Sequence, residues 1–266
     1  IYWERFIDDR KTGFTADSVY ATDAREGVYY RGSGDSLEIL GTSHHYETMA
    51  LSGFISESID FGSVNIRPGV RLELFEQERV DRMQGSIYQD KTIFVLLPGI
   101  AFSKSMAGMN LFGGIHRGFT PPSSGALKIL NFGEGLDDSG LDLDAEKSWN
   151  KELGVRGTMS LVEYEIAGFH IDIENLVAAG RGTAFKNLGK VASQGVESRL
   201  GITLSELSSL LPNIHIAYTY LSTEVKDGAI ISNVSGSAGS ETSIKGMELP
   251  YSPNHTVTTG LEFAPI

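Results

Sequence analysis

The chain has no cysteine among its 266 residues and no apolar run as long as about 18 residues. The absence of cysteine excludes disulfides and thiolate metal sites, and the lack of a long apolar run excludes a transmembrane helix. A membrane barrel remains open, because its lumen-facing residues dilute the hydropathy of each strand. Acidic residues outnumber basic ones, 34 to 22, and the net charge of −12 argues against nucleic acid or an anionic membrane surface as the partner.

The strongest pattern that is present is alternation with a period of two, which indicates strands. In segment 167–174 the apolar residues are Ala167, Phe169, Ile171 and Ile173, and they alternate with Gly168, His170, Asp172 and Glu174. Segment 64–74 alternates in the same way, with Arg67, Arg71 and Glu73 between aliphatic residues. Each strand therefore has one apolar and one polar face. The apolar face would point inward in a soluble sandwich and toward lipid in a membrane barrel.

The lengths of the connections distinguish these two folds. The segments predicted as strands are 46–59, 64–74, 93–106, 111–119, 150–156, 164–174, 191–202, 214–223 and 256–263. Short connections near Gly62, 107–110, 158–162 and 205–213 alternate with long ones at 79–91, 120–146, 178–189 and 225–253. Short turns at one rim and long loops at the other are typical of outer-membrane barrels. Aromatic residues near the predicted strand ends (Trp3, Phe61, Phe75, Trp149, Tyr220, Phe263) fit an interfacial girdle.

Several phrases resemble the C-terminal half of the barrel of TonB-dependent outer-membrane receptors. In order they are NIRPGVRLE (65–73), LPGIAFS (97–103), HRGFTPP (116–122), EKSWNKELGVR (146–156), NLGKVASQGVE (187–197), AYTY (217–220) and PNHTVTTG (253–260). Two of them, around 116–122 and 146–156, are most similar to receptors of the ferric-citrate or siderophore type. The resemblance implies an all-β, antiparallel transmembrane barrel, of which residues 1–266 form about ten of about 22 strands. The chain begins at Ile1 without a signal-like segment, and the plug domain, the energy-coupling box and the closing strands are absent, so we expect it to be part of a longer protein.

The same resemblance implies a function in the outer membrane of a bacterial cell. The expected activity is active transport of a ferric chelate, such as ferric citrate or another siderophore, energised by TonB through the missing plug. The expected partners are the chelate, the TonB complex, and outer-membrane lipid with lipopolysaccharide, without nucleic acid. A passive porin and a soluble carbohydrate-binding surface protein are the alternatives. No arrangement in the sequence indicates an enzyme, a cofactor or a metal site, because the six histidines are scattered.

Two groups of polar residues are predicted to have a role. A lumen-facing or plug-facing group comprises Arg67, Arg71, Glu73, Glu152, Arg156, Glu197 and Arg199, which either contact the cargo or form cross-strand ion pairs that hold the wall and the plug. The ligand-binding candidates are Arg117, Arg181 and Lys186, because a carboxylate-bearing chelate is anionic and arginine binds carboxylates through two parallel hydrogen bonds. Arg117 could instead pair with a plug carboxylate, and Arg181 could belong to an ordinary turn.

Three further expectations concern the membrane. Val70, Leu72, Leu153, Val155, Phe169 and Ile171 are predicted to face lipid. Lys151, between Trp149 and Leu153, is predicted to extend its ammonium group to the outer interface. The acidic run 137–144 either binds divalent cations that bridge lipopolysaccharide or is a solvated loop.

Overall fold

The computed structural model describes residues 2–12, 19–23, 28–33, 36–39, 42–81, 86–121, 145–178, 186–187, 189–208, 210–231 and 241–263. In these ranges nearly all regular structure is β-strand, and one 3-10 turn covers Leu204–Glu206. The strands are β1 Tyr2–Thr12, β2 Val19–Asp23, β3 Val28–Ser33, β4 Ser36–Ile39, β5 Thr42–Ser56, β6 Ile59–Asp60, β7 Val64–Asp81, β8 Ser86–Met106, β9 Met109–Thr120, β10 Glu146–Met159, β11 Val162–Glu174, β12 Val177–Ala178, β13 Lys186–Asn187, β14 Lys190–Ile202, β15 Asn213–Asp227, β16 Ala229–Ile231, β17 Glu241–Ser243 and β18 His255–Glu262. The described residues contain no helix that is long and apolar enough to cross a membrane.

One large antiparallel sheet dominates the fold. Its strands follow the order β1-β5-β7-β8-β9-β10-β11-β14-β15-β18, and the short β6 pairs with β7. Each long strand therefore neighbours the long strand before it in the chain, which confirms the prediction of about ten successive strands. Two smaller sheets, β12-β13 and β16-β17, lie in connections that the sequence predicts as loops, and a third, β2-β3-β4, lies between β1 and β5 in the chain.

The chain divides into two compact units, which comprise the described parts of 1–54, 71–96 and 122–143 and of 55–70, 97–121 and 144–266. The second unit contains β9, β10, β11, β14, β15 and β18 in full. Its strands carry the polar and apolar faces from which the candidate site is built.

The tight turns at one end of the second unit are confirmed. Residues 160 and 161 join β10 to β11, with Met159 opposite Val162 and Ser160 at a φ of 54°. The same rim has two-residue turns at Gly62–Ser63, where Phe61 N–H donates to Val64 O at 2.8 Å, and at Ala107–Gly108. Gly62 and Gly108 both have a φ of 77°, a conformation that favours glycine in such turns.

Cross-strand register in the second unit defines two faces, because directly opposed residues of an antiparallel pair point to the same side. One continuous row of opposed residues is Leu111, Val155, Ile166, Ser198, Tyr218 and Val257, and we call this side the apolar face. The adjacent row on the other side is Asn110, Arg156, Glu165, Arg199, Ala217 and Thr258, and we call this side the polar face. Leu153 is 57% exposed on the apolar face, and its contact with lipid stays a prediction.

The register corrects one prediction. Leu153 lies opposite Gly168, whereas Phe169 lies opposite Glu152 and Ile171 opposite Asn150. Phe169 and Ile171 therefore belong to the polar face, and the prediction that they share a side with Leu153 and Val155 is wrong. The two-residue turn is the reason, because it pairs odd-numbered residues of β10 with even-numbered residues of β11.

Glycines on the polar face make room for the aromatic side chains there. A Cβ placed on Gly195 would lie 2.8 Å from the Phe169 ring, and one placed on Gly154 would lie 2.5 Å from the Phe112 ring. Both rings therefore cover a glycine on the neighbouring strand. Packing an aromatic ring over a glycine is a known way to stabilise such a position in a sheet.

We expect Gly154→Val to lower the free energy of unfolding of the complete protein by about 1–3 kcal/mol, as overpacking does. The new Cβ would also lie 2.9 Å from both the Ala167 side chain and the Ile166 carbonyl oxygen. The matched control is Gly168→Val on the apolar face, where a Cβ meets nothing closer than 3.9 Å. Urea unfolding of both variants provides the measurement, and equal losses would contradict the packing of Phe112 over Gly154.

The most buried apolar cluster lies at the other end of this unit. It contains Val191, Val225 and Ile244, which are 1%, 2% and 9% exposed, and partly buried Ile173, Leu176 and Leu249 pack against it. Ile173, Val191 and Val225 form one row of the polar face, whereas Ile244 comes from the connection between β15 and β18. That connection therefore folds back over the polar face. The backbone bonds Val225 N–H to Met247 O and Gly246 N–H to Val225 O, both 2.8 Å, fix it there.

Candidate functional site

The polar face carries a row of alternating charge near the tight turns. Arg156 lies opposite Glu165, and Glu165 lies opposite Arg199. The Arg156 Nη1 to Glu165 Oε2 distance is 3.9 Å, and the Arg156 guanidinium carbon lies 5.3 Å from the centre of the Phe112 ring. Both side chains of the Arg156–Glu165 pair are substantially exposed, so the pair stabilises the wall only weakly. These side chains therefore remain accessible on the polar face.

The predicted residues Glu152, Arg156, Glu197 and Arg199 all lie on the polar face. Glu152 is opposite Phe169, and Glu197 is opposite Ala167, so neither faces a cation directly across a strand. The structure thus brings the four residues to one side of the sheet, with one further acidic residue, Glu165, between the two arginines. Whether they contact a plug or a cargo stays a prediction.

Two cavities open on the polar face. A cavity of about 970 Å³ at the tight-turn end is lined by, among others, Asn110, Arg156, Glu165, Arg199, His215 and Thr258. His215 Nε2 lies 3.5 Å from Glu262 Oε2 at its margin. The surface of this cavity therefore presents both signs of charge.

A smaller cavity of about 220 Å³ lies toward the long connections. Its polar lining comes from Thr120, Glu146, Lys147, Ser148 and Asn150, of which Lys147 belongs to the apolar face by its register. The Asn150 side-chain amide donates to Ser148 Oγ at 3.0 Å. A Cβ at Gly118 would clash with Ser148 Oγ, so a side chain there would displace this hydroxyl group. The cavity offers hydroxyl, amide and carboxylate groups and no basic side chain on the polar face.

Three predicted lumen residues come from β7. Arg71 and Glu73 form an ion pair on one side of the strand, and Arg71 Nη2 donates to Ser52 Oγ at 3.3 Å. Arg67 is exposed and has the same parity along the strand, but it lies in the other compact unit. The lumen-facing role of the three residues stays a prediction.

The ligand-binding candidates are placed differently from one another. Arg117 lies on the apolar face opposite Trp149, with its guanidinium carbon 5.3 Å from the centre of a Trp149 ring and its Nη2 3.6 Å from Glu174 Oε2. Lys186 is in β13, paired through its backbone with Ala178. Arg181 and the acidic run 137–144 lie outside the described residues. The described positions therefore do not bring these candidates together, and their ligand roles stay predictions.

Lys151 lies on the apolar face between Trp149 and Leu153, and its ammonium nitrogen contacts Asp172 Oδ2 at 2.9 Å. The described ranges contain no group of three or more His, Asp or Glu that could hold a metal ion. Sequence reasoning missed Glu165, Ser148 and Asn150 as neighbours on the polar face. The two-residue turn at Ser160 and Leu161 could have revealed the pairing of Glu165 with Arg156, because it fixes the whole register of the hairpin.

Comparison with known proteins agrees with this geometry. The family described as "TonB dependent receptor-like, beta-barrel" matches residues 3–265. The ferric citrate transporter FecA in its unliganded form is 20% identical with a TM-score of 0.65, over 90% of this chain and 34% of that one. The siderophore receptor PiuA from Acinetobacter baumannii is 16% identical with a TM-score of 0.65, over 84% and 32%. The ferric yersiniabactin uptake receptor FyuA from Yersinia pestis is 16% identical with a TM-score of 0.59, over 87% and 34%.

The chain spans about a third of the length of each of these structures. At these identities the likeness establishes the fold, and the large antiparallel sheet is a sector of a transmembrane β-barrel. This confirms the fold class and the resemblance expected from the sequence. Because the family match covers almost every residue, the chain belongs to the TonB-dependent receptor β-barrel family, which is a family of transport receptors and not of enzymes.

Proposed function

We propose that this chain is part of the wall of a bacterial outer-membrane receptor that imports an iron chelate with energy supplied through TonB. One observation carries the proposal: within a barrel of this family, the sheet has one aliphatic side and one side with the row Arg156, Glu165 and Arg199. In such barrels the apolar side meets lipid and the charged side faces the lumen. The charged row then lines the path of the cargo or the surface that holds the plug.

The names of the similar structures support an iron chelate as the cargo. They are a ferric citrate transporter, a siderophore receptor and a ferric yersiniabactin receptor. The partners we propose are the chelate, a plug domain and the TonB complex that acts on it, together with outer-membrane lipid and lipopolysaccharide.

The distribution of basic residues indicates which parts of the chain would contact the ligand. Toward the long connections, the described polar face of β9, β10, β11 and β14 carries Glu146 and Glu152 but no lysine or arginine. Basic donors for an anionic chelate would therefore come from the long loops, where Arg181 and Lys186 lie. Arg117, on the apolar face, would act on such a ligand only from the rim of the wall. The small cavity with Ser148 and Asn150 supplies hydrogen-bonding groups at the same end.

Uptake of iron chelates by cells that express the complete receptor tests this function. Uptake that requires both the receptor and TonB is expected, with ferric citrate and hydroxamate and catecholate siderophores as the probes. Uptake through the receptor that persists without TonB would indicate a passive porin instead. Failure to take up any of these chelates would contradict the proposed cargo.

The ligand contacts are tested separately by binding to the purified complete receptor. Arg181→Ala is expected to weaken binding of an anionic chelate by about tenfold or more, the effect of losing one charge-assisted hydrogen bond. Arg117→Ala is the comparison variant from the apolar face. Unchanged affinity in both variants would put the site elsewhere, on other loops or on the plug.

A further inference from the structure

Toward the long connections, the described lysines and arginines of β9, β10, β11 and β14 lie on the apolar face and not on the polar face. At that end of the apolar face the charged residues are Arg117, Lys147, Lys151, Lys190, Asp172 and Glu174, a group that we call the basic ledge. The four cations and two carboxylates leave an excess of two positive charges. Toward the long connections, the polar side of the same strands carries Glu146 and Glu152 but no lysine or arginine among its described positions, and the whole chain has a net charge of −12. The positive excess therefore faces away from any cargo inside the barrel.

The carboxylates of the ledge hold its cations in place. Asp172 Oδ2 contacts Lys151 Nζ at 2.9 Å, and Asp172 Oδ1 contacts His170 Nε2 at 2.9 Å. His170 Nδ1 in turn lies 3.2 Å from Gln194 Oε1. Lys151 has three N–H donors and uses one on Asp172, so it keeps donors for an external acceptor.

An open groove of about 500 Å³ begins directly below this cluster. Lys151, His170 and Gln194 line its upper end, whereas Leu153, Val196 and Tyr220 line its lower part. Gly168 lies between Leu153 and Val196 in the cross-strand row, and its missing side chain leaves the groove open. The groove thus has a polar upper end and an apolar lower part, both on the side that meets lipid.

The depth of the groove matches the edge of a bilayer. Lys151 lies eight residues from Met159, the end of β10 at the tight turn. At about 2.5 Å of height per residue for a strand tilted by about 40°, this is about 20 Å, near the top of an apolar band about 25 Å tall. The basic ledge is therefore at the headgroup level of the leaflet on the long-connection side.

We propose that this groove and the basic ledge form a binding site for the phosphorylated glycolipid of the outer leaflet, lipopolysaccharide. Its phosphate accepts hydrogen bonds from Lys151, and one acyl chain lies along the groove over Gly168. The positive excess of the ledge favours an anionic partner, and the membrane is its source because the ledge points out of the barrel. The choice of leaflet rests on the outer-membrane location proposed above.

The test measures lipid retained by the purified complete receptor, by native mass spectrometry in detergent with added lipopolysaccharide. Lys151→Gln is expected to reduce retention by about tenfold, since it removes one charge-assisted contact. Gly168→Leu should reduce it to a similar extent by filling the groove. The variant should fold, because a Cβ at Gly168 has ordinary contact distances of 3.9 Å or more.

Matched controls lie on the same face but outside the site. Lys104→Gln removes a cation near the tight-turn end, and Thr259→Leu adds an apolar side chain on the row that contains Ile216. Retention unchanged in both controls and reduced in both site variants would support the proposal. Equal retention in the site variants and the native receptor would overturn it.

Two further measurements identify the lipid that is bound. Phosphatidylglycerol should be retained less than lipopolysaccharide, and inorganic phosphate should not displace the latter. Equal retention of phosphatidylglycerol would overturn the assignment to lipopolysaccharide, and displacement by phosphate would overturn the role of the groove. Chelate uptake measured in the same cells tests the proposed transport function independently, because loss of uptake leaves the retention result unaffected.

Discussion

Replacing Ile166 by arginine in the complete receptor is expected to lower its free energy of unfolding from a bilayer by about 2–4 kcal/mol, the cost of a basic side chain at mid-bilayer on a lipid-facing position. Ile166 is 49% exposed on the apolar face, and its opposed neighbours are Val155 and Ser198. The measurement is reversible unfolding from phospholipid vesicles, with Ile166→Leu as the conservative control.

Phe169→Arg, three residues further along the same strand, is the discriminating comparison. Because Phe169 is on the polar face, the variant should still insert into the bilayer and should lose only the packing of its ring on Gly195. A larger loss for Phe169→Arg than for Ile166→Arg would reverse the assignment of the two faces.

The second large effect is expected at the connection between β15 and β18. Ile244→Asp should release this connection from the polar face, since the buried cluster with Val191 and Val225 cannot accommodate an unpaired carboxylate. A local cost of about 2 kcal/mol corresponds to amide hydrogen exchange about 30-fold faster at Gly246 and Met247, whose N–H groups bond to Val225 O and Ile244 O.

The control for this prediction is Met247→Ala, because Met247 is exposed and outside the cluster. Exchange at Gly246 should be unchanged in that variant, and the long strands should exchange at native rates in both. Rapid exchange at Gly246 in the native receptor would mean that the cluster does not hold the connection in place.

The strands were predictable wherever one side of the sheet meets lipid, because there the sequence must alternate. Beyond the apolar band both sides are polar, the alternation fades, and the observed strands are longer than predicted. β7 continues to Asp81 and β8 begins at Ser86, inside the segment 79–91 that the sequence suggests is a loop. Hydrogen bonding with neighbouring strands maintains these extensions without any periodic signal.

Which side each residue occupies was less predictable than the strands themselves. Alternation within one strand does not show which of its two faces points outward. In the part of β11 near the long connections, the polar residues lie on the apolar face and the apolar residues on the polar face. There His170 and Asp172 belong to the apolar face, because they lie opposite Lys151 and Trp149 of β10. Phe169 and Ile171 have the more hydrophobic side chains but lie on the polar face. Only the register with β10 resolves this.

The buried part of the connection between β15 and β18 left no signal in the sequence. Ile244 is an isolated apolar residue in a stretch rich in serine and glycine, and its burial depends on Val191 and Val225 in other strands. Long-range contacts of this kind cannot be deduced from local composition. The small cavity with Ser148 and Asn150 was missed for the same reason, since it needs Gly118 on the neighbouring strand.

The glycines beneath Phe112 and Phe169 also affect how far these rings extend from the wall. A ring that covers a glycine can lie close to the wall, whereas a ring displaced by a Cβ must move away from it, toward the lumen of the proposed channel. Substitution of Gly154 or Gly195 could therefore narrow the passage without changing any residue that touches the cargo. In the proposed chelate receptor, the width of the channel would then be controlled by residues that have no side chain.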